Sequence, residues 1–172
     1  MHVMIATDGS LDAKKTATIA AKLASGGGSV TVVAVVEVPR QMLSDMRSAA
    51  ANAAAAAAAA APVEPEYRRT QAPDLPATHW AGDDAVVARY VDDVVSTRTA
   101  ELVAELEAIG VEHTVVGIEG ENAARSVLES AEQLQPDVLC LGTHGLGRFD
   151  GLLGSLSTKV ARMAPCPVLL VR

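Results

Sequence analysis

Aromatic side chains are nearly missing from this chain: of 172 residues, one is Trp, two are Tyr and one is Phe. Hydrophobic residues still make up 49% of the sequence, so a core must be assembled from Ala, Val, Leu and Ile. At this length a single domain can bury such a core. Positive charge is short as well. Lys and Arg number 14 against 21 Asp and Glu, for a net charge of −7, and no basic stripe occurs. That excludes the electrostatic footprint of a nucleic-acid binder, and the acidity serves solubility. Cysteine is limited to Cys140, inside an apolar run, and Cys166, between two prolines. Neither has zinc-site or C-x-x-C spacing, which leaves two core thiols in a reducing compartment. His2, His79 and His113 have no Cys or carboxylate at ligand spacing, so no metal site is expected. No apolar run reaches the ~20 residues that crossing a bilayer requires. Met1–Ala6 has neither the basic start nor the length of a signal peptide. The expectation is a cytoplasmic protein with no membrane partner.

What is present is an alternation of short apolar runs with helical periodicity. Val3–Ala6 is closed by Thr7-Asp8-Gly9-Ser10 and reads as a first strand ending in a polar loop. Ser10 or Asp12 can cap a helix with one alanine-rich face (Ala13, Ala17, Ala20, Ala21, Ala24), and Gly26-Gly27-Gly28 stops it. Val30–Val38 is almost all β-branched, as suits a strand buried on both faces of a parallel sheet. From Asp83 a long helical pattern runs to Ile109, capped by Gly110, and Val111–Val116 follows as a third strand. Asn122 leads into a helix with Ala123, Ala124, Val127, Leu128, Ala131 and Leu134 inward, which Pro136 closes. Val138–Leu141 is a fourth strand, Ser155–Met163 a last helix and Val168–Val171 a last strand. Such alternation implies an α/β fold, a parallel sheet wrapped by helices on both faces.

One segment breaks the alternation. Residues 40–82, between the second strand and the second helix, hold an alanine run, Ala49–Ala61 broken only by Asn52, and then Pro62, Pro65, Pro73 and Pro76. Alanine favours helix, but an isolated helix of that length is marginal in water. The segment reads as an insertion in a loop, whether a helix over the body, a lid or a low-complexity spacer. It supplies few large apolar groups, and Ser48–Pro76 is expected to be dispensable for folding.

The chemistry concentrates after Leu141. Gly142, Gly145, Gly147, Gly151 and Gly154 punctuate a loop between a buried strand and the hydroxyl-rich helix start Ser155-Leu156-Ser157-Thr158. Glycines let backbone approach a ligand, and the N–H groups and dipole of a first helical turn favour phosphate. The alternative is a turn that needs glycine for geometry alone. Generic motifs do not fit. A P-loop needs Lys after its last Gly, where Ser155 stands, and Gly145-Leu146-Gly147 is not continued as a dinucleotide fingerprint.

The spacing Gly142, two residues, Gly145, eight residues, Gly154-Ser155 resembles the nucleotide-binding loop of the universal stress protein family. In that family the second interval is nine residues. Ile5-Ala6-Thr7-Asp8-Gly9-Ser10, Gly120-Glu121-Asn122-Ala123, Asp137-Val138-Leu139 and Ala164-Pro165-Cys166-Pro167-Val168-Leu169-Leu170-Val171 extend the resemblance over almost the whole chain. It implies a single domain over 1–172 and an open, Rossmann-like five-stranded parallel sheet of order 3-2-1-4-5. It also implies an ATP site and a homodimer formed along Val168–Val171. With that order the ligand site falls between the first and fourth strands, Ala6-Thr7-Asp8 facing Gly142-Thr143-His144-Gly145. Carried across by motif, Asp8 and the Thr7 backbone meet the adenosine end. The backbone near Val36 meets adenine, and Gly142 approaches the ribose. Gly145, Gly154, Ser155 and Leu156 hold the phosphates through N–H groups, with Ser155 and Ser157 adding hydroxyls. Ala6, Thr143 and His144 complete the set. His144 either acts on a phosphate or bonds the backbone; Arg148 either neutralises phosphate or is solvated. No general base or Ser/His/Asp arrangement emerges, so no catalytic residue is assigned. The function implied is an ATP-binding module of the stress response, with Mg2+ carried by the nucleotide. The alternatives are a slow ATP hydrolase and a nucleotide-free dimeric scaffold.

Overall fold

The computed structural model describes residues 1–38, 44, 48–49, 51–52, 56, 81–143 and 154–172, with backbone alone for 81–86. The insertion expected over 40–82 lies largely outside the described residues, as do His144 and Gly145. The chain divides into two compact units, Met1–Glu37 with Val91–Arg172, and Val38–Tyr90. In the second, the described members of the alanine-rich stretch are helical, and Ser48 Oγ donates to the Ser44 carbonyl at 3.0 Å.

The first unit holds the sheet. Its elements are β1 (His2–Ala6), α1 (Ala13–Ala24), β2 (Ser29–Val36), the latter part of α2 (Ala81–Ala108), β3 (His113–Glu119), α3 (Ala123–Leu134), β4 (Val138–Gly142), α4 (Ser155–Met163) and β5 (Val168–Val171). All four pairings are parallel and the order is β3-β2-β1-β4-β5, as the resemblance implies. Side chains alternate across the sheet, and both faces are covered. On one face Val3, Ile5, Val30, Val32, Val138 and Cys140 pack with Ala13, Ala17 and Ala20 of α1 and Leu102 and Leu106 of α2. On the other, Met4, Ala6, Val33, Val35, Leu139 and Leu141 pack with Ala124, Val127, Leu128 and Ala131 of α3 and Val160 of α4. Among the described residues no helix is long and apolar enough to cross a membrane.

Helix ends follow local chemistry. Asp12, not Ser10, caps α1, its Oδ1 accepting from Lys15 N at 2.8 Å; Asn122 caps α3 through Arg125 N at 3.0 Å. β3 begins at His113 rather than Val111, because Val111 belongs to the α2 cap. Gly110 N donates to Glu107 O and Val111 N to Leu106 O, the paired bonds of a Schellman cap around Gly110 at φ +70°. β2 stops at Val36, short of the expected Val38, because its partner stops too: Val36 pairs with Glu119, and Gly120 N then closes on Val36 O at 3.1 Å.

Helix α2 comes very close to β3. A Cβ on Gly117 would stand 2.7 Å from Val95 Cγ2, so only glycine leaves room there for the helix.

Candidate functional site

The strand order reverses between β1 and β4. They pair from Val3–Val138 to Ala6–Leu141 and then part. The chain leaving β1 goes to α1 on one face, and the chain leaving β4 goes to α4 on the other. Two connections that diverge at neighbouring strand ends leave a crevice. A cleft opens there. Its floor is Ala6, Val33, Val35 and Leu141, and α3 and α4 flank it through Ala123, Val127, Leu156 and Ser157. The loop after β1 adds Thr7, Asp8, Ser10 and Leu11, and β4 adds Gly142. The base of the cleft is thus apolar and small-sided, and its polar groups gather toward the loop.

Hydrogen bonds hold the rim. Thr7 N donates to Val33 O at 2.9 Å, and Thr7 Oγ1 accepts from Gly9 N at 2.9 Å. Asp8 Oδ1 accepts from Ser10 N at 3.0 Å and from Ser10 Oγ at 2.5 Å, which fixes the carboxylate at the rim. Across the cleft, Ser157 Oγ donates to Gly142 O at 2.7 Å and fastens α4 to the end of β4. Gly154 N donates to Thr143 O at 2.9 Å, so the two ends of the glycine loop are tied together. The first bond within α4 runs from Thr158 N to Gly154 O at 2.9 Å, and Gly154 provides no side-chain cap. The N–H groups of Ser155, Leu156 and Ser157 precede that bond. A first turn of that kind is an anion-binding element.

Six residues singled out in the sequence line this cleft: Ala6, Thr7, Asp8, Gly142, Leu156 and Ser157. Gly154 and Ser155 stand at the start of α4, with Ser155 exposed. Thr143 is buried and borders a separate hollow with Lys15, Leu170 and Arg172. Val36 is buried beside the cleft, with its carbonyl bonded to Gly120 N. His144 and Gly145 lie outside the described residues. The lining residues that the sequence did not single out for the site are Ser10, Leu11, Val33, Val35, Ala123, Val127 and Leu141. The pairing of Ala6 with Val33 identifies two of them, since Val33 and Val35 share a face and Val36 takes the other.

Neither cysteine is prepared for nucleophilic chemistry. Burial pushes the Cys140 thiol up to about 11, and burial also raises Cys166, partly offset by a backbone hydrogen bond from Leu139. Among the described residues no three His, Cys, Asp or Glu gather as a metal site.

A family model described as "Universal stress protein family" matches residues 1–172. The "Universal stress protein in QAH/OAS sulfhydrylase 3'region" of Thermus aquaticus is 50% identical over 50 residues, covering 28% of this chain and 36% of that protein. That match spans little more than a third of the curated relative. A solved universal stress protein in complex with cAMP superposes with a TM-score of 0.58 at 17% identity, covering 100% of this chain and 97% of that one. The universal stress protein from Archaeoglobus fulgidus in complex with dAMP gives 0.51 at 16% identity, covering 100% and 98%. At such identities the two structures speak for the fold alone. With the sheet order, the crevice at its reversal and a family model matched from end to end all in agreement, the chain belongs to the universal stress protein family.

Proposed function

We propose that the chain binds an adenine nucleotide, ATP with Mg2+, in the cleft between β1 and β4, as a conformational or interaction module of the stress response. The observation that carries this reading is an apolar crevice at the strand-order reversal, faced by the first turn of α4, which has no side-chain cap among the described residues. The solved relatives in complex with cAMP and with dAMP support an adenine nucleotide as the occupant. The base packs on Val33, Val35 and Ala123, and Asp8 and the Thr7 backbone take the ribose side. The N–H groups of Ser155, Leu156 and Ser157 receive the phosphates. This donor set fits a phosphate, and Mg2+ comes with the nucleotide, held mainly by phosphate oxygens and water. The chain works as a homodimer joined along β5, whose Val168, Leu169 and Leu170 are half-buried at a sheet edge. It acts in the cytoplasm, a placement that its two unpaired thiols support.

Calorimetric titration with ATP and Mg2+ tests the reading, with Gly154→Val as the control. The branched side chain stands where phosphate would approach α4. Loss of one charge-assisted hydrogen bond costs about 1.5–3 kcal/mol, so the control is expected to bind roughly ten- to a hundredfold more weakly. Equal heats from the two proteins would remove the nucleotide reading and leave the scaffold.

A further inference from the structure

The end of β2 presents a hydrogen-bonding problem that the sheet does not solve. The pairing of β1 with β2 ends at Ala6 opposite Val33, while β2 continues through Ala34, Val35 and Val36. In a strand, carbonyls on one edge come from alternate residues. Val33 O faces β1 and receives Thr7 N at 2.9 Å. Val36 O faces β3 and receives Gly120 N at 3.1 Å. Val35 O therefore faces β1 again, beyond its last residue. The chain that would have supplied a donor has turned away: Gly9 takes φ +90°, and its N–H goes to Thr7 Oγ1. A side chain from α2 fills the place. Arg98 Nη1 donates to Val35 O at 2.6 Å. The same residue seats the loop, because a Cβ on Gly9 would stand 3.3 Å from both Arg98 Cα and Arg98 O. Val35, Thr7, Asp8 and Ser10 line the cleft, so Arg98 touches two segments that carry its wall without lining it.

We propose that Arg98 is a positioning residue for the cleft, whose guanidinium and backbone together set the spacing between the end of β2 and the loop Thr7–Ser10. An arginine suits the task. Its rigid, planar donor fork needs little ordering to hold a carbonyl. For the ligand this inference rests on the nucleotide reading above. The group affected is the base and ribose end, since Val35 and Asp8 lie there, and not the phosphates at α4.

The test uses Arg98→Met, which keeps an apolar stem and removes the donors, and Arg98→Lys, which keeps a single donating group, the ammonium. In the ligand-free protein, amide hydrogen exchange is followed at Gly9, Gly120 and Val111. Gly9 and Gly120 N–H are bonded at the loop and at the end of β2, and Val111 N–H reports the far end of α2. Arg98→Met is expected to speed exchange at Gly9 and Gly120 at least tenfold with Val111 unchanged. Arg98→Lys is expected to stay within about threefold of wild type. Adenosine, AMP and ATP are then titrated, and Arg98→Met is expected to weaken all three by the same factor, five- to fiftyfold. Unchanged exchange at Gly9 and Gly120, or equal acceleration at all three amides, would overturn the proposal. Faster local exchange with unaltered affinity for all three ligands would also overturn it. If wild type binds none of the three while exchange changes as expected, the nucleotide reading fails and the positioning role stands.

Discussion

Replacing Gly117 by Ala and Val95 by Ala, singly and together, tests how α2 is seated on the sheet. The Cβ added by Gly117→Ala would lie 2.7 Å from Val95 Cγ2 and 3.5 Å from Val95 Cβ and Cγ1. Val95 is only 8% exposed, and a β-branched residue in a helix has one strongly preferred rotamer, so it cannot swing aside. Overpacking of this kind costs about 1–3 kcal/mol. Alanine recovers about 0.5–1 kcal/mol over glycine inside a strand. The net loss for Gly117→Ala is about 0.5–2 kcal/mol. Val95→Ala deletes two buried methyl groups, about 1.6 kcal/mol by transfer and somewhat more with the cavity. In the double variant the methyl introduced by Gly117→Ala moves into the vacated space. The expected result is a protein no less stable than Val95→Ala alone, with a favourable coupling of about 1–2 kcal/mol. Urea denaturation of the four proteins measures it, provided the m-value stays constant. Additive losses, within about 0.5 kcal/mol, would refute the close approach of α2 to β3.

Cys140 makes stability depend on alkaline pH. Its thiol is raised to about 11 in the folded protein against an ordinary value of 9.0, because burial disfavours the thiolate. The unfolded chain therefore releases the proton first. The contribution is fully present below pH 9 and is lost as pH climbs from 9 to about 11. Two pH units correspond to about 2.7 kcal/mol. Against a Cys140→Ala reference, the stability difference is expected to narrow by about that amount between about pH 8 and 11; parallel curves would refute it. The proposed dimer makes Leu169→Lys a second test. Light scattering at micromolar concentration is expected to give a dimer for wild type and a monomer for the variant. A monomeric wild type, or a dimer indifferent to the change, would dismiss β5 as the interface.

How much of this was legible in the sequence depends on what each signal measures. Ser155–Met163 and Val168–Val171 read correctly to the residue, because Gly154 precedes the helix, Ala164-Pro165 follows it and Pro167 precedes the strand. The start of β3 did not, because a Schellman cap takes up Val111, which looks like strand, and only hydrogen bonding reveals it. The loop side of the cleft was visible as a motif. The opposite wall was not. In a run this uniformly apolar and β-branched either parity gives a buried strand, so the sequence cannot tell whether Val35 or Val36 faces the crevice until Ala6 is paired with Val33. Arg98 was hidden for a different reason. A polar residue on a long helix reads as solvated, and nothing local announces a carbonyl 63 positions away that lacks a donor.

The same hydrogen bonds give the cleft a direction. Carbonyls at the carboxyl end of a parallel sheet would repel phosphate, but four at or next to this cleft already have donors. Val33 O has Thr7 N, Val35 O has Arg98, Gly142 O has Ser157 Oγ and Thr143 O has Gly154 N. Two helices start beside the cleft, and their first turns differ. In α3 the Ala123 N–H donates to Glu37 Oε1 at 2.8 Å and the Arg125 N–H to Asn122 Oδ1 at 3.0 Å. A carboxylate of the chain itself thus sits where an anion would bind. Among the described residues the start of α4 has no side-chain cap, and its first turn holds no acidic residue. In the proposed binding mode an anionic ligand accordingly turns its phosphates to α4 and leaves its base on the side of α3, over Val33 and Val35. In that proposed mode the polarity of the site rests on Glu37 as well as on the start of α4, because a negative charge that occupies one helix start reserves the other for the ligand.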